Sequence, residues 1–240
     1  MAQEANERKQ REELDQMKFR FFTNISHEFR TPLTLILTPL GALIHDTGEP
    51  ELKKKLEPIY NNARRLLNLV NQLLDFRKLE MKGERLRLKM NDMVFFLEEA
   101  VRQFTDLAAS REIELSFEPK VERLFMNYDS DKMYKMLNNL LSNAFKFTSA
   151  HGQVRVTLEK VSEDGRPYAA VRVEDTGCGI AEKDLPFVFD RFYQTATEGQ
   201  PAGQGSGIGL HLVREYAKLH EGKVTVESRT GEGTAFTLYI

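Results

Sequence analysis

The chain has 240 residues, 41% of them apolar and 29% charged, with 34 Lys and Arg against 36 Asp and Glu and a formal net charge of -2. That length accommodates two ordinary domains. The composition provides a core and excludes wholesale disorder, and the near balance of charge argues weakly against a strongly basic nucleic-acid surface or an acid-rich tail, local charge being a separate matter. A single cysteine, Cys178, excludes an intramolecular disulfide and a cysteine-rich zinc site, and fits a reducing, cytoplasmic compartment. No apolar run reaches the ~20 residues of a membrane helix, and the first residues, MAQEANERKQREELDQ, are too polar for a signal peptide.

From about Arg11 to Met81 the residues favour helix, and the only glycines are Gly41 and Gly48. The turn residues within Gly41 to Pro50 (GALIHDTGEP) predict two long helices joined there into a hairpin. In the second helix Leu52, Leu56, Ile59, Ala63, Leu66, Val70 and Leu73 recur at alternating steps of four and three, a heptad seam. In the first, Phe22, Ile25, Phe29, Pro32, Ile36 and Leu43 form a matching stripe, continued upstream by Leu14 and Met17. One such hairpin leaves a face open, which predicts a homodimer through residues 10–80 closing a four-helix bundle.

After Gly83 the pattern changes to a mixed α/β layer architecture. Strands are expected at Leu86 to Lys89, Ile113 to Phe117, Gln153 to Lys160, Ala169 to Asp175, Lys223 to Ser228 and Thr234 to Tyr239. Helices are expected at Met93 to Ala109, Ser130 to Phe145 and Ile208 to His220. The polar turn at Gly165 reads as a hairpin, and the glycine-rich Glu198 to Gly207 as a mobile loop. The reading is therefore a domain of residues 1–84, including an N-terminal signalling helix, and a second of residues 85–240.

Four segments carry residues suited to chemistry. His27 sits two residues from both Ile25 and Phe29, about 200° around a helix from each, so it points away from the apolar stripe. An exposed imidazole beside a carboxylate, Glu28, is a nucleophile candidate, with Thr31 one turn on to position a water. A solvated histidine on a charged helix satisfies the same spacing, whereas a helical zinc pair is excluded by threonine at position 31. Asn139, Asn143 and Lys146 share one helix face, where amide oxygens suit Mg²⁺ and the ammonium suits phosphate; polar surface asparagines are the plain alternative. Asp175 ends a strand before Gly177 and Gly179, placed either to accept from an exocyclic amine or simply to make a turn. Gly203 to Leu210 opens a helix whose first N–H groups can hold an anion. Isoleucine after Gly207 excludes a Walker loop, and the late position excludes a dinucleotide fingerprint.

In this order, the segments resemble the sensor histidine kinases of two-component systems, from about residue 14 to 240. Ser26-His27-Glu28-Phe29-Arg30-Thr31-Pro32-Leu33 is similar to their H box, which implies His27 as phospho-acceptor, Glu28 as general base, and Glu28 with Thr31 as a phosphatase pair. Asn139 to Thr148 resembles the N box, implying Mg²⁺ at Asn143, support from Asn139, and nucleotide contacts from Lys146 and Phe147. Asp175 to Gly179 looks like the G1 box, with Asp175 as adenine reader and Gly177, Gly179 and the following Ile180 as nucleotide contacts. Phe187 to Tyr193 resembles the F box, with Phe189 and Arg191 against the nucleotide. Gly203, Gly205, Ser206, Gly207, Ile208, Gly209 and Leu210 resemble the G2 box, and Thr234 follows a terminal glycine motif.

The resemblance implies a dimerisation and histidine-phosphotransfer hairpin, then the ATPase sandwich shared with gyrase B and Hsp90, using ATP and Mg²⁺ on a receiver-domain partner in cis or in trans. Those two relatives usually carry glutamate where Asn139 stands; an amide cannot activate water, so transfer to His27 is favoured over hydrolysis. Gln194 replaces the basic residue many relatives have after Phe-Tyr, which leaves the contact with the γ-phosphate to another group such as Arg191. The segment FFTNISHEFRTPLTLILTPL is similar to large hybrid sensors of Bacteroides-type bacteria, whose membrane tether would lie in upstream segments at the inner membrane. A hinge is expected near Lys82 to Glu84, input through the helix Glu4 to Lys18, and a weak point at Pro32. A catalytically silent nucleotide-binding dimer is the competing reading, and an ATP hydrolase the third.

Overall fold

A computed structural model of the chain describes residues 2–80, 84–163, 165–194 and 206–240, with side chains from residue 24 onward. Two compact units divide it, Met1–Glu84 and Arg85–Ile240. Helix α1 spans Ala2–Asp46 and α2 spans Pro50–Glu80, so the connection is only three residues long, Thr47 to Glu49. This corrects the expected break at Gly41. The helix continues through that glycine because its bare Cα faces the Tyr60 ring of α2, where an added Cβ would stand 3.3 Å from the ring. Pro32 and Pro39 also lie within α1. Arg30 clamps the two helices by donating to Asn71 Oδ1 at 2.8 Å, and Leu33, Leu74 and Phe76 are buried.

The seam of α2 divides into two columns. Leu56, Ala63 and Val70 are half-buried, whereas Leu52, Ile59 and Leu66, each seven residues from the next, are exposed. Helix α1 has a corresponding exposed column in Phe29, Ile36 and Leu43. The hairpin satisfies half of its apolar pattern internally and presents the other half outward.

The second unit contains β1 (Lys89–Asp92), α3 (Met93–Arg102), α4 (Thr105–Ser110), β2 (Glu114–Pro119), β3 (Phe125–Tyr128), α5 (Ser130–Phe147), β4 (Gln153–Glu163), β5 (Arg166–Asp175), α6 (Gly209–Leu219), β6 (Lys223–Arg229) and β7 (Gly233–Tyr239). The main sheet has the order β2-β4-β5-β7-β6, with β2 parallel to β4 and the other pairs antiparallel. Along β4, Val154, Val156 and Leu158 alternate inward between exposed Gln153 and Arg155, the period of a sheet packed on one face. Helix α5, with Met133, Met136, Leu137, Leu140 and Leu141 buried, packs on β4 and β5, and α6, with Leu212, Val213 and Tyr216 buried, packs on α5 and β6. On the opposite face Arg155 and Arg172 pair with Glu118, Glu174 and Glu227, at the surface where such pairs add little stability.

Three sequence expectations need correction here. The first strand lies at Lys89–Asp92 rather than Leu86 to Lys89, because its partner β3, unforeseen, pairs Lys89 with Tyr128 and Asp92 with Phe125. The helix expected over Met93 to Ala109 breaks at Gln103 and Phe104, where the Phe104 ring turns inward to stack on Phe145, with centroids 5.6 Å apart. The Gly165 hairpin is tighter than the polar run Ser162-Glu163-Asp164-Gly165 suggests, since Glu163 pairs with Arg166.

Candidate functional site

His27 stands exposed on α1, one position after the buried Ser26, with Glu28 and Phe29 exposed beside it. The helix period places His27 about 100° from Ser26 and about 120° from Leu33, off the buried side of the helix. Thr31 is exposed one turn on, and its hydroxyl donates to the His27 carbonyl at 3.1 Å. Its hydrogen is therefore held by the helix backbone, and what it offers outward is lone pairs.

The second cluster forms where α5 ends. Apolar residues of α5 turn inward, which leaves Asn139, Asn143 and Lys146, at steps of four and three, half-buried along one flank. The Asn139 amide nitrogen donates to the Lys135 carbonyl at 2.8 Å, which orients its oxygen. The Lys146 ammonium lies 4.5 Å from the centre of the Phe147 ring. Thr148 ends the helix by donating its hydroxyl to the Ala144 carbonyl at 2.7 Å.

Against this helix end lies the turn after β5. Asp175 Oδ1 accepts the Gly177 N–H at 2.8 Å, and the Cys178 N–H reaches the Phe147 carbonyl at 3.4 Å. A Cβ at position 177 would stand 2.6 Å from the Phe147 carbonyl oxygen, and one at position 233 only 2.0 Å from that of Asp175. Backbone thus packs on backbone, and only glycine permits that approach. Asp175 is 7% exposed. Burial raises its carboxyl to about 6, against the opposing pull of the Gly177 and Thr234 N–H groups.

The described residues on either side of the glycine-rich segment also meet. The Phe192 N–H donates to the Gly207 carbonyl at 3.0 Å, with Phe192 held at φ 61°, a left-handed conformation unusual for an aromatic residue. Ser206 Oγ accepts the Ile208 N–H at 3.2 Å just before α6 begins. Arg191 is exposed, Phe189 half-buried and Ile208 buried, while Gly209 and Leu210 form the first turn of α6. Gly203 and Gly205, most of the Glu198 to Gly207 loop and the Lys82 side of the expected hinge lie outside the described residues.

Two residues at this site gave no signal in the sequence. Ser228 Oγ accepts the Ile180 N–H and donates to the Gly233 carbonyl, both at 2.8 Å, and lies 2.9 Å from Thr234 Oγ1. It ties the Asp175 turn to the last two strands from 48 residues away. His211 is buried with Nδ1 3.3 Å from the Phe189 carbonyl, joining α6 to the Phe187 to Tyr193 segment, and burial lowers its pKa.

The chain is thus a helical hairpin bearing an exposed histidine and an α/β unit with a buried aspartate at the end of β5, and each of the two is matched by a family model. Residues 17–82 match the His Kinase A (phospho-acceptor) domain, and residues 128–240 match the histidine kinase-, DNA gyrase B-, and HSP90-like ATPase. The chain belongs to the histidine kinases and comprises a sensor kinase catalytic core. It is 38% identical over 240 residues to histidine kinase P4 of Formosa agariphila, covering 98% of this chain and 17% of that one. It is 37% identical to hybrid signal transduction histidine kinase D of Dictyostelium discoideum, covering 94% of this chain and 15% of that one. Among solved structures, full-length ShkA in complex with AMPPNP superposes with a TM-score of 0.72 at 28% identity, over 91% of this chain and 44% of that one. The chain thus spans less than a fifth of the length of the first two relatives.

Proposed function

We propose that this core binds ATP with Mg²⁺ in its second unit, transfers the γ-phosphoryl group to His27, and passes it to an aspartate of a receiver domain. The observation that carries the reading is the packing of the Asp175 turn on the end of α5. It brings a buried carboxylate and the Asn143 and Lys146 flank to one edge of the sandwich. Asp175 accepts from the adenine amine, Lys146 meets phosphate, and the Ser206 to Leu210 segment supplies N–H groups at the start of α6. Phe147, Gly177, Gly179, Ile180, Phe189 and Thr234 line the nucleotide. Arg191 is the lid cation for the γ-phosphate in place of Gln194.

The donor set suits Mg²⁺. Among the described residues no group of three His, Cys, Asp or Glu forms a cage, whereas the Asn143 and Asn139 amide oxygens are hard ligands that leave room for water and phosphate. When bound, the ion neutralises phosphate charge. The remaining work falls to the chain: Glu28 accepts a proton from the His27 ring, and Asn139 cannot activate water for wasteful hydrolysis. In a separate hydrolysis, the Thr31 lone pairs and Glu28 orient water toward a partner's aspartyl phosphate, which leaves aspartate and inorganic phosphate. The outward columns of the hairpin support a homodimer.

Incubation with γ-labelled ATP tests the reading. Label that is lost in acid, survives alkali and is absent from His27→Ala is expected. Rapid ATP turnover without labelling would overturn it.

A further inference from the structure

Asp129 joins three parts of the second unit. One oxygen caps α5, accepting the N–H groups of Asp131 and Lys132 at 3.1 and 3.2 Å. Its own N–H donates to His220 Nε2 at 3.2 Å, just beyond the end of α6. His220 Nδ1 is 2.8 Å from the Tyr216 carbonyl. With Nε2 accepting, Nδ1 carries the proton and donates to that carbonyl. The helices that bear the N-box and G2-box residues therefore have their far ends tied at a single residue.

The third joint is of a different kind. The other carboxylate oxygen, Oδ2, accepts the N–H of Arg87 at 2.8 Å, from 42 residues earlier. Arg87 belongs to neither helix, and lies three positions after Glu84, where the chain has just entered the second unit. Asp129 is 4% exposed, so water does not compete for these bonds. Lys132 is buried beside it, its ammonium 5.3 Å from the centre of the Tyr216 ring and 3.4 Å from Asp131. Burial works against ionisation of Asp129, but the N–H groups of Arg87, Lys132 and Asp131, with the Lys132 charge, hold its carboxyl below the usual range. A lasting carboxylate with two oxygens committed in different directions is what a three-way joint needs.

We propose that Asp129 is a positioning residue for phosphoryl transfer to His27: through Arg87 it makes the start of the catalytic unit a rigid extension of α5. This rests on the reading of His27 as acceptor. Transfer between two tethered units requires in-line approach of the γ-phosphate and the imidazole, and orientation lost at the tether slows that step without touching the nucleotide. The Arg87 bond is the one joint of the three that plays no part in building the nucleotide site.

Asp129→Asn separates these roles. Asparagine is as good a helix cap as aspartate, so its one oxygen keeps the Asp131 and Lys132 N–H groups while its NH₂ confronts the Arg87 N–H, donor against donor. Arg87→Pro removes the same bond from the other side and leaves Asp129 intact. On the full chain, affinity for a fluorescent ATP analogue and the initial rate of His27 labelling are measured for the parent and both variants. The expected result is nucleotide affinity unchanged within about twofold and labelling about tenfold slower in both, the equivalent of one hydrogen bond to a charged acceptor. Affinity falling in step with labelling would reduce Asp129 to a helix cap, and labelling unchanged or faster in both would overturn the proposal outright. His27→Ala, run alongside, identifies the acceptor independently of Asp129.

Discussion

Asp175 is ionised at neutral pH in a place where burial opposes ionisation, and its two consequences run in opposite directions. Its carboxyl is raised from 3.8 to about 6 in the folded chain. The ionised form therefore costs folding stability above about pH 6, and that cost disappears as pH falls through 6 toward the unfolded value. The role proposed for it is the reverse: the carboxylate accepts from an adenine amine more strongly than the protonated acid, so nucleotide affinity should be full above about pH 6 and weaken below it. Titration calorimetry from about pH 7.5 to 5 should show this weakening in the parent. In Asp175→Asn, binding should be at least about tenfold weaker at neutral pH, with that pH step removed and a melting temperature equal to or above the parent's. A variant that binds ATP as the parent does would remove Asp175 from the adenine role.

At the scale of elements, the site depends on backbone approaching backbone. The ends of β5, β7 and α5 come so close around Gly177 and Gly233 that a side chain added at either glycine must move whole elements. Gly233→Ala should therefore cost at least about 2 kcal/mol of stability, read as a lowered denaturation midpoint, since its methyl group meets the Asp175 carbonyl. Gly48→Ala is the control, because nothing lies within 4 Å of its Cβ position in the hairpin connection. It should stay within about 0.5 kcal/mol. Equal losses in the two would mean that the close approach does not hold in solution.

For the whole molecule, the exposed columns Phe29, Ile36, Leu43 and Leu52, Ile59, Leu66 decide the expected assembly. A second copy covering them converts the hairpin's outward half into the core of a four-helix bundle, each large side chain contributing about 2 kcal/mol. Sedimentation equilibrium should find the parent dimeric and Ile36→Glu with Ile59→Glu monomeric, while ATP affinity, a property of the other unit, stays unchanged. A dimeric double variant would place the interface elsewhere. Among the described residues no helix is long and apolar enough to cross a membrane.

What the sequence by itself determined follows from local chemistry. The heptad steps of α2, the position of His27 away from the apolar stripe, the Asn139, Asn143 and Lys146 flank, and the strand ending at Asp175 each follow from periods of 3.6 or 2, readable within one window. The tertiary structure alone decided what depends on partners far along the chain. Gly41 reads as a break yet is helical because Tyr60 of the neighbouring helix lies over it. Strand β1 begins three residues later than its composition suggests because β3 sets its register. Ser228 reaches Ile180 across 48 residues and Asp129 reaches Arg87 across 42, and neither bond leaves a periodic trace. A hydrogen bond from a side chain to a distant backbone group constrains one residue at each end, so no spacing records it, and only the packed sheet brings the two together.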